Sequence, residues 1–161
     1  MSTRADELIR ALGLAPHPEG GFYRELFRSR RMVRTDDGRS ERWAATTIFY
    51  LLRGDDVNRW HRVASDEIWH WYEGAPLELH LLDPQVTRAR TETVGPVDAS
   101  SAPVRVVPAA CWQAVRCTGE YTLAGCTVAP GFEFSDFRLL REVPELAERL
   151  RTSFPEFLAH L

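Results

Sequence analysis

Arg59 and His61 stand two residues apart in NRWHRVASDEIWHWYEG, the run from Asn58 to Gly74, and Glu67 follows with Gly74 seven residues beyond it. Side chains two apart on a strand point to one face, so the spacing predicts that Arg59 and His61 enter one space together. In the run that begins at Glu67, the same rule puts Glu67, Trp69, Trp71 and Glu73 on one face and Ile68, His70 and Tyr72 on the other. A guanidinium can grip a carboxylate, phosphate or enolate oxygen with paired N–H donors, and an imidazole can exchange a proton near neutral pH. Glu67 would orient that imidazole and raise its basicity. The same three side chains could instead form a satisfied buried network that fixes strand register and does no chemistry.

Strands must hold these residues, and the pattern supplies them. Short β-type runs are predicted over 22–28, 44–52, 56–63, 67–73, 77–82, 86–94, 104–107, 113–117, 121–128 and 134–140, separated by Gly, Pro, Asp and Ser turns. This is the spacing of an antiparallel sandwich or barrel. TRADELIRALGL at the beginning has Leu8, Ile9 and Leu12 at helical spacing, with Thr3 as N-cap and Gly13 at the stop. From Pro144 the period is helical again, with a break at Ser153 and Pro155. The segment 95–103 reads as a connecting loop.

The stretch from Asn58 to Gly74 resembles the first motif of the cupins, in which two His are followed by a Glu and then a Gly. His61 stands where the second His belongs, Arg59 occupies the place of the first, and Glu67 and Gly74 match. The second cupin motif, Pro, Gly and His, is matched by Pro108, Ala110 and Gln113, so Gln replaces its His. With Pro16–Ser29, Ala45–Leu52 and Thr127–Leu140, the chain resembles the cupin-5 family over about residues 8 to 141. The resemblance implies a mainly β double-stranded β-helix, the cupin jelly roll, with short N- and C-terminal helices, similar to the dTDP-4-dehydrorhamnose 3,5-epimerase type. A single domain over residues 1–161 is expected.

Many cupins hold a divalent metal through three His and a Glu. Here those positions carry Arg59, His61, Glu67 and Gln113, and a fixed cation and a neutral amide are poor substitutes for imidazoles. No cofactor is therefore expected; if a metal is bound, its ligands are His61, Glu67 and Gln113. The epimerase type abstracts a proton beside a carbonyl with a His and no metal, and Tyr50 and Tyr23 are candidates for its partner Tyr. The catalytic candidates are His61 and Glu67. The substrate-binding candidates are Arg59 as anion clamp, Gln113 as hydrogen-bonding partner, and Trp69, Trp71 and Tyr50, with Phe49 and Trp112 as further rings that line a pocket or fill the core.

Strand parity sends His70 and His80 outward, with Ile68 and Tyr72 beside His70 suggesting cover by a second subunit. His17 reads as a surface residue, while Glu19 or Arg24 reaches toward the mouth. A chain of 161 residues with 44% hydrophobic residues is sized for one core, and its charge of −3 from 20 basic and 23 acidic residues disfavours a nucleic-acid partner. Every basic residue is Arg. Three cysteines without CxxC spacing, and no apolar leader or membrane-spanning run, predict a cytoplasmic protein with no membrane partner. The resulting expectation is a homodimeric cupin that holds an anionic or carbonyl-containing small molecule. It would be a metal-independent isomerase or epimerase acting by proton transfer on a small polar carbonyl or sugar-like substrate. The alternatives are a non-catalytic binding or sensing cupin and a metal-dependent oxygenase or isomerase.

Overall fold

A computed structural model describes residues 2–161. Helix α1 (Arg4–Leu12) is followed by strands β1 (Ala15–Pro16), β2 (Phe22–Arg28), β3 (Met32–Val33), β4 (Arg42–Trp43), β5 (Thr46–Arg53), β6 (His61–Val63) and β7 (Asp66–Gly74). Strands β8 (Leu77–Leu82), β9 (Ala89–Val94), β10 (Ser101–Ala102), β11 (Val104–Val107), β12 (Trp112–Cys117), β13 (Tyr121–Ala129) and β14 (Phe137–Leu139) come next, and helix α2 (Pro144–Ser153) and a 3-10 segment (Pro155–His160) end the chain. Two six-stranded sheets, ordered β1-β2-β5-β13-β7-β11 and β10-β9-β8-β12-β6-β14, stack as a jelly roll. The sheets are not closed into a barrel, which corrects that expectation.

Alternation along the strands fills the space between the sheets. Leu77, Leu79 and Leu81 of β8 point inward beside Trp69, Tyr50, Leu52 and Val115, all buried. The outer faces are covered unequally. The Thr3 side chain and Asp6 form a capping box at the start of α1, and Gly13 ends it at φ 63°, so Ala5 and Leu8 lie against Leu51 and Leu123 on one end of the first sheet. The C-terminal segments cover the second sheet by packing Leu150 on Trp60, Leu82 and Trp112.

Three expected strands are shorter than their sequence pattern, and of 86–94 only Ala89–Val94 is a strand, because Val86 turns at φ 57°. Only His61–Val63 of 56–63 is a strand, because the backbone before it bonds elsewhere: Arg59 N–H donates to Glu19 O, Trp60 N–H to His160 O, and Leu140 N–H to Trp60 O. The first half of 134–140 is a 3-10 turn, Phe134–Asp136. His80 is also not on an open exterior. It is buried beneath Phe157 and His160 of the C-terminal segment, and burial takes its pKa down to about 4.

Ala110 adopts φ 66°, in the left-handed region, at the position where the second motif has Gly. A Cβ there costs about 1–2 kcal/mol, partly offset by the about 0.5–1 kcal/mol of freedom that Gly loses on folding. Ala110→Gly should therefore raise the melting temperature by about 2 °C. A melting curve that stays put or shifts downward would mean that the Ala110 methyl group contributes more packing than it costs in strain.

Candidate functional site

A cavity of about 460 Å³ opens between the sheets. Its base is polar and buried: Glu19, His61, Glu67 and Cys126 are 6%, 2%, 7% and 2% exposed. Each comes from a different element, namely the loop after β1, β6, β7 and β13. His17 joins them from the Glu19 loop. That loop can lie so close because Gly20 has φ 107°, and a Cβ there would collide with the Val57 carbonyl oxygen.

Two donors that cannot accept fix the direction of the whole network. Trp69 Nε1–H donates to Gln113 Oε1 at 2.8 Å, so the Gln113 amide turns its NH₂ to Glu67 Oε2. Likewise Val115 N–H donates to Asn58 Oδ1 at 2.8 Å, leaving the Asn58 NH₂ to serve Glu19 Oε1 at 3.0 Å and the Tyr50 hydroxyl at 2.9 Å. The Tyr50 hydroxyl then donates to Gly20 O at 2.7 Å. His61 Nδ1 lies 2.7 Å from Arg59 O, which can only accept, so Nδ1 carries a proton. His61 Nε2 lies 2.9 Å from Glu19 Oε2.

Electrostatics separates the acids. Burial disfavours charge on both His61 and Glu19, but each is the other's counter-ion: the carboxylate carries His61 up to about 9, and the imidazolium holds Glu19 below its ordinary value. Near neutral pH they form a buried ion pair. Glu67 differs, since burial pushes its pKa up against the opposing charge of His61, favouring the neutral acid. Burial lowers His17, whose Nδ1 accepts the Glu19 backbone N–H at 3.2 Å.

Apolar walls rise from this base. Phe132, Phe134 and Phe137 sit edge to face, with centroids 5.0 Å, 6.3 Å and 6.4 Å apart, and Phe137 stacks on His61 at 5.5 Å. The turn that carries Phe134 is clamped by Asp136, which takes Arg42 in two bonds and Arg39 in one, each at 2.8 Å. The Asp136 side chain is only 5% exposed.

Of the residues expected at the site, His61 and Glu67 line the cavity, as does Tyr23. Arg59 does not: it precedes β6, where the two-residue period does not apply, and its backbone is held by Glu19 and His61. Its role as anion clamp is withdrawn. Gln113, Trp69 and Tyr50 are buried and support the base from behind, and Trp71 packs half-buried against the core; none of the four lines the cavity. His61 is a cation with both ring nitrogens engaged, not the free base its type suggested. Glu19 and His17 belong to the site although their partners lie far away in sequence, and His17 is no surface residue, its side chain being buried. The polar pair before two glycines in PHPEGG was the available signal; Asn58 offered none.

A family model described as Cupin_5, cupin superfamily (DUF985), matches residues 6–140. The chain belongs to this cupin family. No curated protein matches the sequence. Among solved structures, this cupin is similar to a hypothetical protein from Leishmania major, with 30% identity, a TM-score of 0.84, and coverage of 98% of this chain and 97% of that one. It is similar also to a protein from Shewanella oneidensis, with 32% identity, a TM-score of 0.80, and coverage of 98% and 94%. Oxalate decarboxylase from Bacillus subtilis, at 14% identity and a TM-score of 0.58 over 87% of this chain and 34% of that one, shares the fold.

The metal positions of the cupin motifs do not fit a divalent ion here. Arg59 is outside the cavity, both His61 nitrogens are bonded, and the Gln113 oxygen is taken by Trp69. Among the described residues, no group of three or more His, Cys, Asp or Glu is placed to hold a metal.

The pair has a pH signature. Between pH 6.5 and about 9 the folded protein holds a proton on His61 that the unfolded chain releases, so this contribution to stability is complete below 6.5 and is lost as pH rises through about 9. Melting temperatures measured across that interval should fall in the wild type, and His61→Asn should flatten the descent. Parallel curves for the two proteins would mean that His61 is not charged in the fold.

Proposed function

We propose that this cupin binds a small carbonyl compound and isomerises or epimerises it by metal-independent proton transfer between Glu19 and Glu67. The observation that carries the reading is the pair of buried carboxyl groups driven in opposite directions within one cavity, Glu19 toward the carboxylate and Glu67 toward the neutral acid. Such a pair divides the roles of base and acid. Glu19 takes the proton from the carbon beside the carbonyl, and the C–H electron pair forms the new C=C bond. The C=O π pair moves to oxygen, which receives the Glu67 proton. Return of a proton to a different carbon or a different face gives the isomer or epimer. His61 stays cationic and offsets whichever carboxylate is present, while Gln113 and Asn58 hold the two carboxyls in place.

Incubation with keto-acid, sugar-nucleotide and lactone candidates in D₂O, followed by NMR, tests this directly. Deuterium should enter beside the carbonyl of a bound compound, and Glu19→Gln or Glu67→Gln should slow entry by about 10²–10⁴-fold with binding retained. Exchange undiminished in both variants would overturn the assignment. Tight binding without exchange would favour a binding or sensing cupin, the role suggested by a network whose polar atoms already satisfy one another.

The reading extends to assembly as a cytoplasmic homodimer. The three cysteines are unpaired, which suits a reducing compartment, and among the described residues no helix is long and apolar enough to cross a membrane. Helix α1 covers only one end of the outer face of the first sheet. Beyond it Tyr72, Val104 and Val106 are 47%, 45% and 49% exposed beside Ile68 and His70, a face suited to a second copy. Light scattering should give a dimer mass, and Tyr72→Glu with Val106→Glu should give monomers. A monomeric wild type at micromolar concentration would remove the dimer.

A further inference from the structure

We infer that the ligand is an aryl carbonyl compound bearing an anionic group remote from its carbonyl, with Arg24 reading the anion. The inference rests on the cavity being the ligand site, and it concerns what the cavity selects rather than what it does to the ligand.

The cavity is polar at its two ends and largely apolar between them. Hydrogen-bonding groups gather at the buried base and, with Arg24, Glu25 and Arg28, at the mouth, whereas Ile48, Val63, Val128 and the three Phe rings line the space between. A saccharide carries hydroxyls around its whole ring, and against such walls most of them would lose water without gaining a partner, at about 1–3 kcal/mol each. A flat ring, in contrast, fits beside Phe132, Phe134 and Phe137, which already meet one another edge to face. The polar atoms of the ligand therefore belong at its two ends.

Charge identifies the outer end. Glu19 is balanced by His61 at 2.9 Å, and Arg28 at the rim is balanced by Glu25 and Glu133, each at 2.8 Å. Arg24 also lines the cavity and is exposed, yet among the described residues its guanidinium bonds only to the Leu12 carbonyl oxygen, from Nη1 at 2.7 Å. Among the described residues, no carboxylate pairs with it. Arg24 is thus the uncompensated cation of the lining, with donors left over for a carboxylate or phosphate. Only Gly13, Leu14 and β1 separate the loop that carries His17 and Glu19 from the helix whose last residue, Leu12, anchors Arg24, so base and rim are held by one stretch of chain.

Calorimetric titration with four probes tests the inference: 4-acetylbenzoate, acetophenone, 4-oxopentanoate and glucose 6-phosphate. 4-Acetylbenzoate should bind at least about tenfold more tightly than acetophenone, which lacks the anion, and than 4-oxopentanoate, which lacks the ring. Arg24→Gln should bring the affinities of 4-acetylbenzoate and acetophenone to within about twofold of each other. Glucose 6-phosphate binding as tightly as the aryl acid, an unchanged ratio in Arg24→Gln, or no binding of 4-acetylbenzoate would each overturn the inference. The same samples in D₂O separate it from the proton-transfer reading. Selective binding without deuterium entry into the acetyl group leaves the ligand class standing and removes the chemistry. Equal exchange for 4-oxopentanoate and 4-acetylbenzoate does the reverse.

Discussion

The side-chain amide of Asn58 is fully buried, and each of its hydrogen bonds leads to a different part of the fold. Its oxygen takes the Val115 N–H of the second sheet, while its two hydrogens go to Glu19 on the loop after β1 and to Tyr50 in the first sheet. One planar group thereby ties both sheets to the loop that supplies the carboxylate. A buried donor or acceptor left without a partner costs about 1–3 kcal/mol, so the arrangement is stable only when all three attachments form together. The placement of Glu19 against His61 follows from it. So does the bonding of the 58–60 backbone, because an Asn58 turned inward leaves that segment to pair with Glu19 and His160 instead of continuing β6.

Charge in the cavity follows from the same geometry. Taking a carboxylate and an imidazolium out of water together is tolerable only with close pairing and further hydrogen bonds. Here Asn58 satisfies one Glu19 oxygen and the Arg59 carbonyl satisfies the far nitrogen of His61. The neighbouring Glu67 has a hydrogen bond from Gln113 but no close counter-ion of its own, and burial moves it toward neutrality. Gln in place of the motif's His therefore suits an acid that keeps its proton better than one that coordinates an ion. Positive charge at the base resides on a side chain.

The period of the strands was legible in the sequence, and the loops were not. β2, β8 and β11 have the bounds that the alternation predicts, and Glu67 and Trp69 face inward as their parity requires. Both caps of α1 were also readable, because Thr3 and Gly13 act through local geometry. Arg59 misled because its spacing from His61 carries meaning only on a strand, and the strand begins at His61. Glu19, His17 and Asn58 take their roles from partners brought together by sheet stacking, and no periodicity in one chain encodes that encounter. The outward side of β8 failed for the same reason, since strand parity places His80 correctly but does not say that the C-terminal segment will lie over it.

Asp136, gripped by Arg39 and Arg42 under only 5% exposure, fixes the turn on which Phe134 stands. Pairs shielded to this degree respond weakly to salt, and bidentate geometry resists sliding. The Phe134 side of the entrance is consequently anchored as a fixed edge. On that side a molecule entering the cavity meets a wall held by buried ion pairs, so any widening to admit a bulkier one has to come from the opposite side of the mouth.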